Sequence, residues 1–258
     1  MALNNQQRNH IQQMIINSLR NKFHKYNPES ASMPFHYRLL GKDRISLYSF
    51  IHSLNTNFGT SIFEPVAKFL AEFNFVNAEI QQKAGTLISV EAQNIIQNIL
   101  DDLKNKVIAP NKIKEIEAIR AVCQKGDMKT VKLTKIDLKL TDKDNTIYLF
   151  DIKTAKPNAG DFTEFKRTLL NWVAVTLAIN PNANIHSLIA IPYNPYEPEL
   201  YDRWTIQGML DRENELKVAE EFWDFIGGKG AYKDLLDCFE YAGNELRPEI
   251  NEYFSRFK

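Results

Sequence analysis

Three charged residues in the middle of the chain have the types and spacing that could bind a divalent cation. Asp151 and Lys153 stand two apart in a β-rich run, and residues two apart in a strand point to the same face. Asp137 precedes them across the turn cluster Asp142–Asn145. If the turn centres on Asp144, Asp137 lies opposite Asp151 on one face of a hairpin. A centre shifted by one residue would put the two carboxylates on opposite faces.

Two neighbouring carboxylates repel each other, and a cation removes that repulsion. Oxygen ligands suit Mg²⁺, which takes one or two carboxylates together with water and substrate phosphate oxygens. Such an ion polarises a phosphodiester and lowers the pKa of a bound water, while Lys153 can orient or deprotonate that water. The set therefore favours phosphodiester hydrolysis. The alternative is ordinary charge on an exposed hairpin edge, although the apolar flanks Tyr148–Phe150 and Ile152 indicate a strand buried on one face.

The elements that must position these residues follow from hydrophobic periodicity. Alternation over Thr130–Leu140 and a β-rich run over Asn145–Thr154 predict a hairpin, and a further strand is expected near Met128. An apolar run at Asn184–Pro192 predicts one more strand. Helical spacing predicts helices at Asn5–Phe23, Tyr48–Leu54, Glu64–Phe73, Ser89–Leu103, Lys112–Cys123, Asp161–Leu177, Glu213–Phe225, Tyr232–Tyr241 and Pro248–Phe257, with a break at Asn55–Gly59.

Asp137 followed by Asp151-Ile152-Lys153 resembles the PD-(D/E)xK nuclease motif. Ile136 stands where that motif often has proline, a position that varies within the superfamily. The order helix, three strands, helix, strand, expected here from about 110 to 192, is similar to that superfamily's core. Wider blocks spread over about 40 to 245 resemble the TdeIII-type restriction endonucleases. These blocks are Gly59–Glu64, Asp151–Asn158 and Phe222–Gly228.

This resemblance implies an α/β fold with a restriction-endonuclease-like core, in which helices flank a mixed central sheet, and with additional helical regions. We expect a mostly helical N-terminal region at 1–110 packing on the core, the catalytic core at 111–205 and a helical C-terminal region at 206–258, together as one compact unit. The implied activity is that of a type II restriction endonuclease: sequence-specific, Mg²⁺-dependent hydrolysis of double-stranded DNA that leaves a 5′-phosphate. The TdeIII group hints at a GC-rich site of the GGNCC kind.

Partners follow from the same resemblance. A symmetric DNA site is matched best by a two-fold protein, so a homodimer is expected. A cognate DNA methyltransferase in the same restriction–modification system would protect the host. Two alternatives stay open: a repair or recombination nuclease on the same core, such as a junction resolvase, and a non-catalytic DNA-binding protein. Intact Asp137, Asp151 and Lys153 argue against the second.

Further site residues are expected on either side of the hairpin. In PD-(D/E)xK nucleases an early helix often supplies a glutamate that faces the metal, and Glu64 is the candidate for this catalytic and metal-binding role. Its alternative is a capping box with Ser61, and Glu91 and Glu117 are runners-up. Asparagine and arginine can read base edges and lysine can hold phosphate. The expected DNA contacts after the catalytic strand are Lys156, Asn158, Lys166 and Arg167.

Composition limits the other possibilities. The 32 basic and 32 acidic residues balance, which argues against a passive nucleic-acid coat, but residues 1–60 carry seven basic against two acidic side chains. Residues 104–156 carry thirteen basic and seven acidic side chains, whereas residues 197–258 carry eight basic and fifteen acidic side chains. This uneven distribution would allow one positively charged face. Two cysteines exclude a disulfide framework. With no signal peptide and no apolar run of about 18 residues, we expect a cytoplasmic protein of a bacterium or archaeon.

Overall fold

The computed structural model describes residues 2–27, 33–153, 161–201 and 208–256. The chain forms two compact units, one made of Met1–Val66 and Gly227–Lys258 and the other of Ala67–Ile226. These bounds differ from the three regions outlined from the sequence, because a strand of the central sheet lies well before residue 110.

The helices and strands are numbered in chain order. They are α1 (Asn5–Lys25), α2 (Pro34–Leu40), α3 (Lys42–Phe58), a π-helix (Gly59–Phe63), α4 (Glu64–Ala71), β1 (Asn77–Gln82), β2 (Leu87–Ser89), α5 (Val90–Lys104), α6 (Lys112–Arg120), β3 (Met128–Thr130), β4 (Ile136–Thr141), β5 (Ile147–Ile152), α7 (Asp161–Ile179), β6 (Ile185–Ile191), α8 (Arg212–Glu215), β7 (Leu216–Val218), α9 (Glu220–Gly227), α10 (Ala231–Glu245) and α11 (Arg247–Ser255).

The first unit is helical and ties the two ends of the chain together. α1 begins with a capping box, in which the Asn4 side chain accepts the Gln7 N–H and the Gln7 side chain accepts the Asn4 N–H, each at 2.9 Å. α1 packs against α10. There Asp234 accepts the backbone N–H of Leu3 at 2.9 Å and pairs with Arg8. The N-terminal helix is thus held by polar contacts as well as by its apolar side.

The second unit contains a mixed sheet. Within the described residues five strands lie in the order β1-β4-β5-β6-β7. β4 pairs antiparallel with β1 and β5, while β6 pairs parallel with β5 and β7. The strand expected near Met128 exists as β3, but it pairs with β2 in a separate two-stranded sheet. Helices flank the five-stranded sheet, so the predicted α/β class is confirmed.

Helices cover the central sheet on both faces. Along β4 every second residue is buried, which places Ile136, Leu138 and Leu140 on one face. On that face Phe150 of β5 packs against Phe222 of α9, with ring centroids 5.4 Å apart. α7 packs against β6 and also contacts α5 and α6. The other face of β4 and β5, toward α7, carries the charged residues.

Most elements lie where periodicity predicts them, and the differences have local causes. The helix around Tyr48–Leu54 belongs to the longer α3. The break expected at Asn55–Gly59 is wrong, since α3 continues into a π-helix without leaving helical geometry. β7 interrupts the single helix predicted over Glu213–Phe225. None of the described helices has the length and apolar content needed to cross a membrane.

Candidate functional site

The hairpin β4–β5 has the register that a turn centred on Asp144 predicts. Leu138 pairs with Phe150, so one further step along the ladder sets Asp137 opposite Asp151. Directly opposed residues in an antiparallel pair share a face. The two carboxylates therefore project from the same side of the sheet, as expected from the sequence.

The turn that fixes this register is held by one side chain. Asp142 Oδ1 accepts the backbone N–H of Asp144 at 2.9 Å and of Thr146 at 2.8 Å. Asn145 has a φ of 60°, a left-handed conformation that asparagine adopts more readily than most residues. These contacts stop the hairpin from slipping by one residue, which would move Asp137 to the opposite face.

Asp137, Asp151 and Lys153 line one open pocket of about 490 Å³. Asp151 and Lys153 project from β5 and its end, two residues apart on the same face. The pocket is completed by α7 and by the chain before β4, through Thr134, Lys135, Glu164, Phe165 and Thr168, and by Gln81 of β1. The three residues singled out from the sequence are thus brought together.

The Asp137 carboxylate is held by two neutral donors. The backbone N–H of Ile152 donates to Oδ2 at 2.8 Å, and the Gln81 side-chain amide donates to Oδ1 at 3.3 Å. Asp137 is half-buried. Neither donor carries charge, so both orient the carboxylate and leave its negative charge in place.

Asp151 is paired with the lysine of the motif. Lys153 Nζ lies 2.6 Å from Asp151 Oδ1, and the carboxylate is buried while the lysine is half-buried. The ammonium also lies 4.8 Å from the centroid of the Phe165 ring, a cation–π distance. The Lys153 backbone N–H donates to Ala190 O at 2.9 Å. These contacts hold the lysine beside the acid with its head at the pocket.

The charges in this pocket do not cancel. Its lining carries three carboxylates, those of Asp137, Asp151 and Glu164, against the two ammonium groups of Lys135 and Lys153, which leaves one negative charge in excess. In the part of the chain that the structure describes, no group of three or more His, Cys, Asp and Glu side chains is arranged to hold a metal ion. Two carboxylates are nevertheless the share that Mg²⁺ commonly takes from a protein when substrate oxygens and water complete its shell.

A second group of charges explains why one expected DNA contact is wrong. Lys166 is fully buried, and its ammonium lies 2.6 Å from Glu115 Oε2 and 2.5 Å from Glu215 Oε2. Lys112, also buried, lies 2.7 Å from Glu215 Oε1. In this four-charge cluster (Lys112, Glu115, Lys166, Glu215) two cations balance two anions. Lys166 cannot reach a phosphate without breaking both of its ion pairs.

The other expected DNA contacts have different outcomes. Arg167 is on the surface of α7, where its guanidinium donates to Gln97 Oε1 at 3.0 Å. Its contact with DNA stays a prediction. Lys156 and Asn158 lie outside the described residues.

Glu64 begins α4 and is buried, with 3% of its surface exposed. It belongs to the first unit, whereas Asp137 and Asp151 belong to the second. The capping box with Ser61 is wrong, because Ser61 sits inside the π-helix and not at an extended N-cap. The metal-binding role of Glu64 stays a prediction.

Two pocket residues escaped the sequence interpretation. Gln81 was missed because Asn77–Gln82 is short and polar, without the β-branched run that marks a strand. Lys135 is exposed at the pocket, in the basic stretch 104–156 that the charge distribution had already singled out. The charge pattern could have indicated Lys135, but no local signal indicated Gln81.

The first unit holds a larger groove, of about 740 Å³. Its described lining includes Lys22, Lys25 and Tyr26 but no acidic side chain, histidine or cysteine. Its described lining therefore offers a divalent cation only neutral amide and hydroxyl oxygens, without a carboxylate, imidazole or thiolate. The smaller pocket in the second unit, in contrast, holds the carboxylates of Asp137 and Asp151.

Comparison with known proteins relates this chain to restriction enzymes. Residues 3–243 match the family described as type II restriction endonuclease, HinfI. The type II restriction enzyme MjaII of Methanocaldococcus jannaschii is 28% identical, over 93% of this chain and 70% of its own. HgiCII of Herpetosiphon aurantiacus is 26% identical over 93% of this chain and 92% of its own length. HgiEI of the same organism is 26% identical over 85% of this chain and 80% of its own length. All three relatives are named as type II restriction enzymes.

Proposed function

This chain belongs to the HinfI family of type II restriction endonucleases, a family of sequence-specific DNA nucleases, and we propose that it cuts double-stranded DNA at the pocket of Asp137, Asp151 and Lys153. The observation that carries this assignment is the opposed pair Asp137 and Asp151 with Lys153 in contact, in one open pocket. The finer proposal is that the core is of the PD-(D/E)xK type. The TdeIII-type likeness and a GGNCC-like site remain predictions beside the HinfI match.

The donor set of the pocket fits Mg²⁺. It offers carboxylate oxygens without sulfur or imidazole, on a site with one negative charge in excess. We assign Asp137 and Asp151 as the residues that would hold the ion. When bound, Mg²⁺ would polarise the phosphodiester and favour ionisation of a water molecule.

The residues of the chain then have separate tasks in hydrolysis. A water oxygen attacks phosphorus and the bond from phosphorus to the 3′ oxygen breaks, leaving a 5′-phosphate and a 3′-hydroxyl. The Lys153 ammonium, held at 2.6 Å from Asp151, can donate a hydrogen bond that orients this water and offset the charge that develops on the phosphate oxygens. The Ile152 N–H keeps Asp137 pointing in a fixed direction at 2.8 Å.

Binding of the duplex needs positive charge at the pocket rim. Lys135 is exposed at that rim and supplies such a charge directly. Arg167 on α7 is a second candidate, and Lys156 and Asn158 follow the catalytic strand in sequence. Phosphate contacts of this kind position the DNA, whereas base reading requires side chains at a groove. A homodimer and a cognate methyltransferase complete the proposal for a symmetric site.

Glu64 is a separate part of the proposal. It is assigned as an additional metal ligand because it is a buried carboxylate at the start of an early helix. The variant Glu64→Gln keeps shape and burial while removing the charge. If that variant keeps the wild-type Mg²⁺ requirement, only the Glu64 assignment fails.

The test is incubation of the purified protein with unmethylated phage DNA and Mg²⁺, with Asp151→Asn in parallel. Discrete fragments that disappear with Asp151→Asn and with excess chelator would support the proposal. A smear would indicate a nonspecific repair-type nuclease, and uncut DNA that is still bound would indicate a binding protein. Fragments produced equally by Asp151→Asn would move the active site elsewhere.

A further inference from the structure

Gln81 has a backbone conformation that its position in a strand does not explain. Its φ is 56°, in the left-handed region that residues other than glycine, asparagine and aspartate rarely enter. Among the described residues, the other non-glycine positions with positive φ are Lys106, Asn145 and Ala219, and all three lie outside the strands. Gln81 alone among them lies inside a strand. Strained backbone of this kind tends to cluster at functional sites.

The strained residue is the cross-strand neighbour of Asp137. Ile80 pairs with Leu138 and Gln82 pairs with Ile136, so Gln81 lies between these pairs and opposite Asp137. Its side chain lines the catalytic pocket, and its amide nitrogen is 3.3 Å from Asp137 Oδ1. The strain and the contact with the carboxylate thus occur at the same residue.

We propose that Gln81 is a positioning residue, whose amide holds the Asp137 carboxylate in the orientation that binds the divalent cation. The proposal rests on the proposed function of Asp137. Ile152 N–H holds Oδ2 and the Gln81 amide holds Oδ1, so rotation of the carboxylate is opposed at both oxygens. Partners that orient a metal ligand typically change metal affinity or activity by roughly 10- to 100-fold when removed.

A neutral amide suits this task better than a lysine would. Asp151 already has Lys153 at 2.6 Å, which offsets its charge. A second cation at position 81 would neutralise Asp137 and remove the excess negative charge of the pocket. The glutamine orients its carboxylate and leaves that charge available to the cation.

Two substitutions separate the amide from the backbone strain. Gln81→Met keeps the length of the side chain and removes the donor. Gln81→Gly also removes the donor, but glycine accepts a positive φ without strain, so this variant should unfold at a temperature equal to or above that of the wild type. The matched control is Gln82→Met, because Gln82 is exposed on the same strand and its amide donates to Ile80 O.

The measurement is the Ca²⁺ concentration that half-saturates binding of a short cleavable duplex, together with the Mg²⁺ concentration that half-saturates cleavage. Both should rise about tenfold or more for Gln81→Met and Gln81→Gly and stay unchanged for Gln82→Met. In an Asp137→Asn background, Gln81→Gly should add no further loss, because the carboxylate it orients is gone.

Unchanged half-saturating concentrations in Gln81→Gly, with Asp137→Asn severely impaired, would overturn the role of Gln81 and leave the proposed function standing. Wild-type cation dependence in Asp137→Asn would overturn both. A further loss in the double variant equal to that of Gln81→Gly alone would show that Gln81 acts on something other than Asp137.

Discussion

The second unit contains two groups of carboxylates and lysines that differ in balance and exposure. In the four-charge cluster, Lys112 and Lys166 meet Glu115 and Glu215 at 2.5–2.7 Å, and each side chain is 5% exposed or less. In the pocket proposed for catalysis, Lys153 pairs with Asp151, Asp137 accepts hydrogen bonds from neutral donors, and the pocket is open to solvent. The residue types are almost the same.

The two groups differ in whether their charges are compensated within the protein. A buried charge is tolerated when opposite charges and hydrogen bonds compensate it, and removal of one partner leaves an uncompensated ion. The four-charge cluster meets that condition and joins α6, α7 and α8. The catalytic pocket retains one negative charge beside an opening, so an external cation can complete it. The first group should contribute to stability and the second to turnover.

The largest effect should come from Asp151→Ala. It removes a proposed metal ligand, and cleavage should fall by a factor of about 10⁴ or more, which corresponds to about 5.5 kcal/mol in the barrier. DNA binding should be largely retained, as measured by gel shift beside a plasmid cleavage assay. Asp144→Ala, an exposed aspartate of the same hairpin, serves as the control. Near wild-type cutting by Asp151→Ala would remove the contrast between the two groups.

Lys166→Met should chiefly lower stability. It leaves Glu115 and Glu215 facing Lys112 alone, and loss of one partner of a buried ion pair costs about 3–5 kcal/mol in the free energy of unfolding. Urea unfolding measures this effect.

Adding Glu115→Gln to Lys166→Met should reduce the loss, because one cation then faces one anion again. The matched pocket variant Lys153→Met should abolish cleavage with a much smaller change in stability, since the Lys153 side chain is 30% exposed. If the double variant loses more free energy of unfolding than the two single variants lose together, charge balance does not explain the cluster.

Ca²⁺ in place of Mg²⁺ should preserve specific DNA binding and reduce cleavage by about 10²-fold or more. Ca²⁺ accepts the same carboxylates but with looser and more variable geometry. A gel shift in Ca²⁺ should give one sharp complex that excess chelator removes. Rapid cutting in Ca²⁺, or cutting in chelator, would contradict a metal-completed pocket.

Acid should affect the four-charge cluster through Glu215. Burial raises the pKa of Glu215, but the attraction of Lys112 and Lys166 outweighs it, so its pKa lies below the usual value. A carboxylate whose pKa is depressed by folding stabilises the protein above the unfolded-state pKa of about 4.3, and this contribution is lost as the pH falls through the folded-state value.

The wild type and the variant Glu215→Gln should differ in how steeply their melting temperatures fall with pH. Melting temperature should decline less between pH 5 and pH 3 for Glu215→Gln, although that variant is less stable than the wild type at pH 7. This pH range includes the unfolded-state pKa, which is about 4.3. Parallel curves for the two proteins would show that Glu215 carries no such linkage.

The sequence was sufficient for the residues whose patterns are local. The hairpin register followed from one turn cluster, and with it the shared face of Asp137 and Asp151. The long helices α1, α5 and α7 have clear periodicity and lie where it predicts them. The α/β class followed from the change of period in the middle of the chain.

Nonlocal contacts could not be obtained in this way. Lys166 follows the catalytic strand closely, but its burial depends on Glu115 and Glu215, which are 51 and 49 residues away in the chain. Gln81 reaches Asp137 across 56 residues, through pairing of a strand with no recognisable pattern. β7 has three residues, too few for a sequence pattern to predict, and it pairs in parallel with β6.

The turn at Asp142–Thr146 has a consequence for how the gene can vary. It lies about 17 Å along the strand from Asp137, at roughly 3.4 Å per residue, and none of its residues lines the pocket. One codon inserted there in frame would nevertheless shift the register of β4 against β5 by one residue. That shift would turn Asp137 toward the opposite face of the sheet. Point substitutions in this loop other than at Asp142 should be harmless, while single-codon insertions or deletions should abolish activity. Natural relatives that share this active site should therefore tolerate changes of composition in this turn far better than changes of length.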